Sequence, residues 1–148
     1  MTKTPKLKIL FLCTGNSCRS QMAEGWARAL KADELEPYSA GIEIHGMNPR
    51  AMRAMAEAGV DISGQRSKHL DELAGIAFDV VVTVCDHAAA SCPLFSGQAR
   101  IVRHSFDDPP RLAREAKSEE EAMAPYRRVR DEIRAFIAGL PESLQDPL

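Results

Sequence analysis

Cys13-Thr14-Gly15-Asn16-Ser17-Cys18-Arg19-Ser20 is the stretch of this chain whose residue types and spacing carry the most chemistry. A thiol opens it, a guanidinium nearly closes it, and small or hydrogen-bonding residues lie between. Backbone N–H groups converge on one point when a residue in such a loop adopts a positive backbone angle; Gly15, and to a lesser degree Asn16, can do so. The positive end of a following helix would add to the same field. Thr14 to Ser20 together then form an oxyanion cradle, and Arg19 offers it a planar fork matched to two oxygens of a tetrahedral anion. The same field stabilises a thiolate. Cys13 is therefore expected to have a lowered pKa and to act as nucleophile, with Ser20 as a further donor to its sulfur. The Gly-Lys-Ser/Thr ending of a nucleotide phosphate loop is absent, and so is the C-x-x-C of a thioredoxin-like site. A bare C-x5-R spacing arises often by chance, so the weight of this one depends on its flanks.

The remaining cysteines, Cys18, Cys85 and Cys92, form no C-x2-C pair and have no clustered histidines, which argues against a zinc site. His45, His69, His87 and His104 are scattered without metal-ligand spacing and read as solvated or capping residues. Asp107-Asp108-Pro109 admits two readings: an acid able to protonate a departing oxygen, or a solvated turn. Glu119-Glu120-Glu121 reads as favourable charge at a helix start.

The elements around these residues alternate in type. Leu7 to Leu12 is apolar almost throughout, as in a strand covered on both faces. A helix is expected from Gln21 to Lys31, with Met22, Trp26, Ala29 and Leu30 on its apolar face. Strands follow at Glu36 to Ala40, Phe78 to Val84 and Ala99 to Val102. Asn48-Pro49 starts a helix that Gly59 stops, with Met52, Met55 and Ala56 as its stripe. Ser118 and Glu121 form a capping box for a last helix running to about Ala138. This pattern predicts one α/β domain over residues 1–148, built on a central, mostly parallel four-stranded sheet flanked by helices. Ligands of such sheets bind beyond the carboxyl ends of the strands. Cys13 and Cys85 each stand at such an end, so both thiols face one edge.

Composition narrows the setting. With 148 residues, 27% charged residues and a formal net charge of −2, nothing favours nucleic acid or a membrane surface as partner. No apolar stretch approaches the roughly 20 residues that span a bilayer, and no secretory signal opens the chain. The expected location is cytoplasmic, where structural disulfides are rare and the cysteines are buried thiols or redox groups.

Leu10-Phe-Leu-Cys-Thr-Gly-Asn-Ser-Cys-Arg-Ser20 resembles the active-site loop of the low-molecular-weight tyrosine phosphatase superfamily. Gln21-Met-Ala-Glu-Gly-Trp26, Tyr38-Ser-Ala-Gly-Ile-Glu43 and His45-Gly-Met-Asn-Pro49 are similar to the thioredoxin-coupled arsenate reductases within it. The resemblance runs from about Leu7 to Phe136. It implies that Cys13 is the nucleophile, that Arg19 binds the oxyanion and that Asp108, directly before Pro109, is the general acid. Pro110 and Arg111 stand where phosphatases of the family often carry tyrosines, which weakens the reading as a phosphatase of aryl phosphates. Thr83-Val-Cys85 and Ser91-Cys-Pro93, with C-x6-C spacing, match the reductases. They imply a relay in which Cys85 attacks Cys13 to release arsenite, Cys92 attacks Cys85, and thioredoxin reduces the resulting disulfide. Cys18 has no step in it. No cofactor is implied. Some members bind potassium through positions matching Asn16, Glu24 and Ser39, but carry an aspartate where this chain has Lys68. The expectation is that potassium is not required.

Overall fold

Ile9, Leu10, Phe11 and Leu12 are all fully buried, which is why their run shows no alternation. They belong to β1 (Leu7–Cys13), the strand at the heart of a computed structural model that describes residues 6–85 and 99–145. Burying side chains of this kind is worth about 1.5–3 kcal/mol each, so β1 anchors the core. After it come α1 (Arg19–Leu30), β2 (Leu35–Gly41), α2 (Pro49–Glu57), a 3-10 turn (Leu70–Leu73), β3 (Val80–Thr83) and β4 (Arg100–Arg103). A short α3 (Pro109–Leu112), a long α4 (Glu119–Ala138) and a 3-10 turn (Glu142–Gln145) complete the described order.

The sheet runs β2-β1-β3-β4 and every neighbouring pair is parallel. Its register sets Cys13 opposite Gly41 and Leu12 opposite Thr83. The carboxyl ends of β1, β2 and β3 therefore share one edge, the arrangement expected from the alternation of elements. Helix α1 packs on β1 and β2 and meets α2 and α4. There Trp26 Nε1 donates to the carbonyl of Arg130 at 3.1 Å, and the Arg134 guanidinium lies over the indole ring.

Several boundaries and faces differ from expectation. Helix α1 begins at Arg19, so the guanidinium sits in its first turn. Its buried face is Met22, Ala23, Trp26 and Ala27, while Ala29 and Leu30 are exposed, because the last turn projects beyond the layer it covers. In α2 the buried residues are Ala51, Ala54 and Met55, and Ala56 faces out. Strand β3 is shorter than its apolar run, since Phe78 and Val84 pack in the core without pairing as strand residues. The Asn48 cap is present, its side chain accepting from the N–H groups of Arg50 and Ala51. Ser118 likewise accepts from Glu121 N at 3.0 Å. Pro125 stands inside α4 without ending it; Tyr126, Val129, Ile133 and Ile137 are buried along the following turns and outweigh the lost hydrogen bond. Among the described residues, no helix is long and apolar enough to cross a membrane.

Candidate active site

The chain leaves β1 at Cys13, turns, and enters α1 at Arg19, so the loop between them wraps the N-terminal end of a helix. Asn16, with φ 50°, takes the left-handed conformation that lets the loop curl; Gly15, expected to do so, does not. Gly15 is required for another reason: a Cβ there would lie 2.1 Å from His45 Nδ1. Asn16 is fully buried and held from every side. Its Nδ2 donates to Ser20 Oγ at 2.9 Å, and its Oδ1 accepts from Gln21 Nε2 and from Lys68 N, both at 2.9 Å. Ser20 Oγ thus accepts from Asn16, and the Thr14 N–H is a donor to the Cys13 sulfur. The chain beyond β2 lies along the same loop, with Glu43 N and His45 N donating to Thr14 O and Gly15 O at 2.9 and 3.0 Å.

Two charged groups complete the cradle. Arg19 Nη1 donates to Phe106 O at 2.8 Å and Arg19 Nη2 stands 3.7 Å from Asp108 Oδ1. Asp108 precedes α3 and makes no capping hydrogen bond, so its carboxylate is left to face the arginine. Its neighbour Asp107 points elsewhere and pairs with Arg128 at 2.8 Å. A cleft of about 400 Å³ opens over Cys13 and Arg19 and is walled by His45, Asn48, Asp108 and Arg114. Apart from the His45 imidazole, no aromatic side chain among the described residues lines it.

The thiols meet as the parallel register requires. Cys13 and Cys85 are buried and hydrogen-bonded to one another, and Thr14 Oγ1 lies 3.3 Å from Cys85 Sγ. This contact overturns the expected acidity of Cys13. The hydrogen bond with Cys85 holds the Cys13 thiol well above its ordinary pKa; burial adds to the rise, while Arg19 and the Thr14 N–H pull down. Two thiols in contact cannot both ionise freely, so they titrate as a pair. Cys18 is a buried thiol at the start of α1, and burial pushes its pKa far up, as suits a packing residue. Cys92 and the stretch from Asp86 to Ser91, which includes His87, lie outside the described residues.

Lys68 closes the back of the cradle. Its Nζ donates to Ser39 O at 3.0 Å and to Arg66 O at 3.1 Å, while Ser39 Oγ donates to Glu24 Oε1 at 2.5 Å. Glu24 also pairs with Arg28 at 2.8 Å. An ammonium already occupies the Ser39 carbonyl, so this set does not fit potassium. His69 caps the 3-10 turn, accepting from Asp71 N at 3.0 Å, and His104 packs against Phe106 and Phe136. His45 is exposed, as expected, and also lies over Gly15 with its Nε2 2.7 Å from Glu43 Oε1. Sequence reasoning passed over His45, Asn48 and Arg114 as wall residues. The stretch His45 to Pro49 was visible as part of a resemblance, whereas nothing near Arg114 marks it out.

The chain is similar to known proteins over nearly its whole length. A family model described as low molecular weight phosphotyrosine protein phosphatase matches residues 8–147. A relative named arsenate reductase, from Halalkalibacterium halodurans, is 52% identical over 138 residues, covering 93% of this chain and 97% of its own. A solved arsenate reductase in a phosphate-binding state superposes with a TM-score of 0.65 at 31% identity, covering 91% of this chain and 99% of that one. A thioredoxin-dependent arsenate reductase from Corynebacterium glutamicum has a TM-score of 0.67 at 25% identity, covering 97% of this chain and 64% of that one.

Proposed function

The chain belongs to the low molecular weight phosphotyrosine protein phosphatase family, and on that premise we propose that it is an arsenate reductase working through Cys13, Cys85 and Cys92. The observation that carries this reading is the hydrogen-bonded pair of thiols at the mouth of an oxyanion cradle. Hydrolysis of a phosphate ester needs one thiol; reduction of As(V) to As(III) needs two electrons, which two thiols supply by forming a disulfide.

In this reading arsenate sits against the N–H groups of residues 14–20 and the Arg19 fork. Once the thiol pair has lost its first proton, Arg19 and the Thr14 N–H favour charge on Cys13. The Cys13 thiolate attacks arsenic, an As–O bond breaks, and Asp108 gives its proton to the oxygen, which leaves as water. Cys85, already beside the Cys13 sulfur, attacks it as thiolate. An S–S bond forms, the S–As bond breaks with its electron pair kept by arsenic, and arsenite departs. Cys92 then attacks Cys85, moving the disulfide to Cys85–Cys92 and restoring Cys13. A dithiol protein of the thioredoxin type reduces that disulfide, and the reducing cytoplasm is the matching location. The thioredoxin-dependent relative supports this choice of partner.

The same cradle would accept phosphate esters, so weak hydrolysis of p-nitrophenyl phosphate is expected alongside. The shortage of aromatic walls in the cleft among the described residues favours a small inorganic anion over a phosphotyrosine ring. The test is arsenate-dependent NADPH oxidation with thioredoxin and thioredoxin reductase. Sustained oxidation by the wild type, and a single turnover by Cys92→Ser, are the expected results. A Cys92→Ser protein that cycles normally would rule out the relay, and brisk ester hydrolysis without NADPH oxidation would rule out the reductase.

A further inference from the structure

Most arginines described in this chain are committed to carboxylates. Arg28, Arg50, Arg53, Arg66, Arg127 and Arg128 each lie within salt-bridge distance of a Glu or Asp. Arg114 is different: among the described residues its guanidinium has no ion pair or hydrogen bond, yet it lines the same cleft as Cys13 and Arg19. Its position is not left to chance. Buried Ala113 holds the segment down, its N–H donating to Pro109 O at 2.9 Å, and Ala116 N donates to Ala113 O at 3.1 Å. The backbone that carries Arg114 is therefore fixed relative to Asp108, while the guanidinium stays exposed at the mouth.

The charges facing that mouth come from three segments. Asp108 and Arg114 come from the region of α3, Arg19 from the start of α1, and His45, with Glu43 on its outer nitrogen, from the chain beyond β2. Arg19 already spends part of its field on Asp108 and one donor on Phe106 O. The molecule as a whole carries a formal charge of −2, which repels a doubly charged anion at long range. A cation with no carboxylate partner at the entrance reverses that repulsion locally.

We propose that Arg114 is a second oxyanion-recognising residue, which draws a tetrahedral dianion into the cleft and holds its outward oxygen while Arg19 and the loop hold the inner ones. It is a positioning residue and takes no part in bond breaking. The inference rests on the arsenate reductase reading only for the identity of the anion, so binding is measured apart from turnover. The probe is protection of Cys13 from iodoacetamide by inorganic arsenate and, separately, by inorganic phosphate, read by peptide mass in wild type, Arg114→Ala and Arg114→Lys. At low ionic strength Arg114→Ala should weaken protection by about three- to tenfold, the effect of one charge at a solvated rim, and Arg114→Lys should retain most of it. Raising salt from about 20 mM to about 500 mM should close the gap, because screening then acts within a few ångströms. In the reductase assay the loss should fall on KM for arsenate and not on kcat.

Equal protection in Arg114→Ala and wild type at low salt would overturn the proposal. A loss that salt leaves untouched would overturn it as well, since that marks a structural defect. So would a rise in KM for thioredoxin with KM for arsenate unchanged, which would make Arg114 a docking residue. A deficit of Arg114→Ala in phosphate protection that salt closes, beside a wild type that reduces no arsenate, would refute the reductase reading and still uphold the role of Arg114.

Discussion

Gly41→Ala is the substitution whose effect the structure defines most closely. Gly41 ends β2 opposite Cys13, and a Cβ placed there would lie 2.5 Å from Glu43 O and 2.8 Å from both Asn16 N and Thr14 O. All three are backbone atoms of the cradle and of the segment along it, so no side-chain rotation relieves the contact. Carbon atoms do not approach such groups much below 3.0 Å, and the loop must move by several tenths of an ångström in more than one place. Overpacking of this kind costs about 1–3 kcal/mol. For a chain of this length that is a fall in Tm of about 3–9 °C. Function should suffer more than stability, because in the proposed reading the N–H groups of residues 14–20 hold the anion. A displacement approaching 1 Å at a reacting centre can cost about a hundredfold, so a loss of about 10- to 100-fold in arsenate reduction is expected. Thermal denaturation and the thioredoxin-coupled NADPH assay read the two effects. Gly64→Ala, where a Cβ meets nothing within 4 Å, is the matched control and should shift stability by less than about 0.5 kcal/mol. A Gly41→Ala protein that melts and turns over like wild type would refute the argument that backbone contact at Gly41 shapes the cradle.

Other consequences are equally direct. Cys85→Ala removes the leading cause that holds the Cys13 proton in place, so the pH profile of Cys13 alkylation should move to lower pH, though not to that of an exposed thiol, because burial remains. A profile that stays put or moves up would contradict the thiol contact. Asn48→Ala deletes the acceptor for two helix N–H groups and the donor at 3.1 Å to Tyr126 Oη, and should cost about 1–2 kcal/mol, seen as a lower urea midpoint with an unchanged slope. Exchanging sodium for potassium should leave the wild-type Tm and activity unchanged, since the Lys68 ammonium already occupies Ser39 O. Lys68→Met, which vacates that carbonyl, should make the Tm sensitive to the choice of cation.

Local chemistry was legible in the chain wherever it depends on neighbours in sequence. The apolar run before Cys13, the cap at Asn48-Pro49 and the box at Ser118 are short-range patterns, and each appears as an element boundary within a residue or two. Faces were read less well. Ala29, Leu30 and Ala56 fit an apolar stripe by spacing yet lie outside, because spacing defines a helix face but not how far along the helix its partner layer extends. The loop was legible as an oxyanion cradle, while its left-handed residue was assigned first to Gly15. Glycine is the easier choice for the backbone, and the ring of His45, thirty positions away in the chain, is what demands glycine at that site instead.

Residue types and order thus determined, by themselves, a strand–loop–helix junction with a thiol and a guanidinium in it and a parallel sheet to carry it. These follow from steric preferences and hydrogen bonding over a few residues. Tertiary structure alone decided which distant groups meet there. It set Asp108 3.7 Å from Arg19, left Arg114 in the cleft wall without an ion pair among the described residues, and packed Cys85 against Cys13. That last contact raises the pKa that the loop's own field would lower, because a second thiol and desolvation act through space, whatever the separation along the chain.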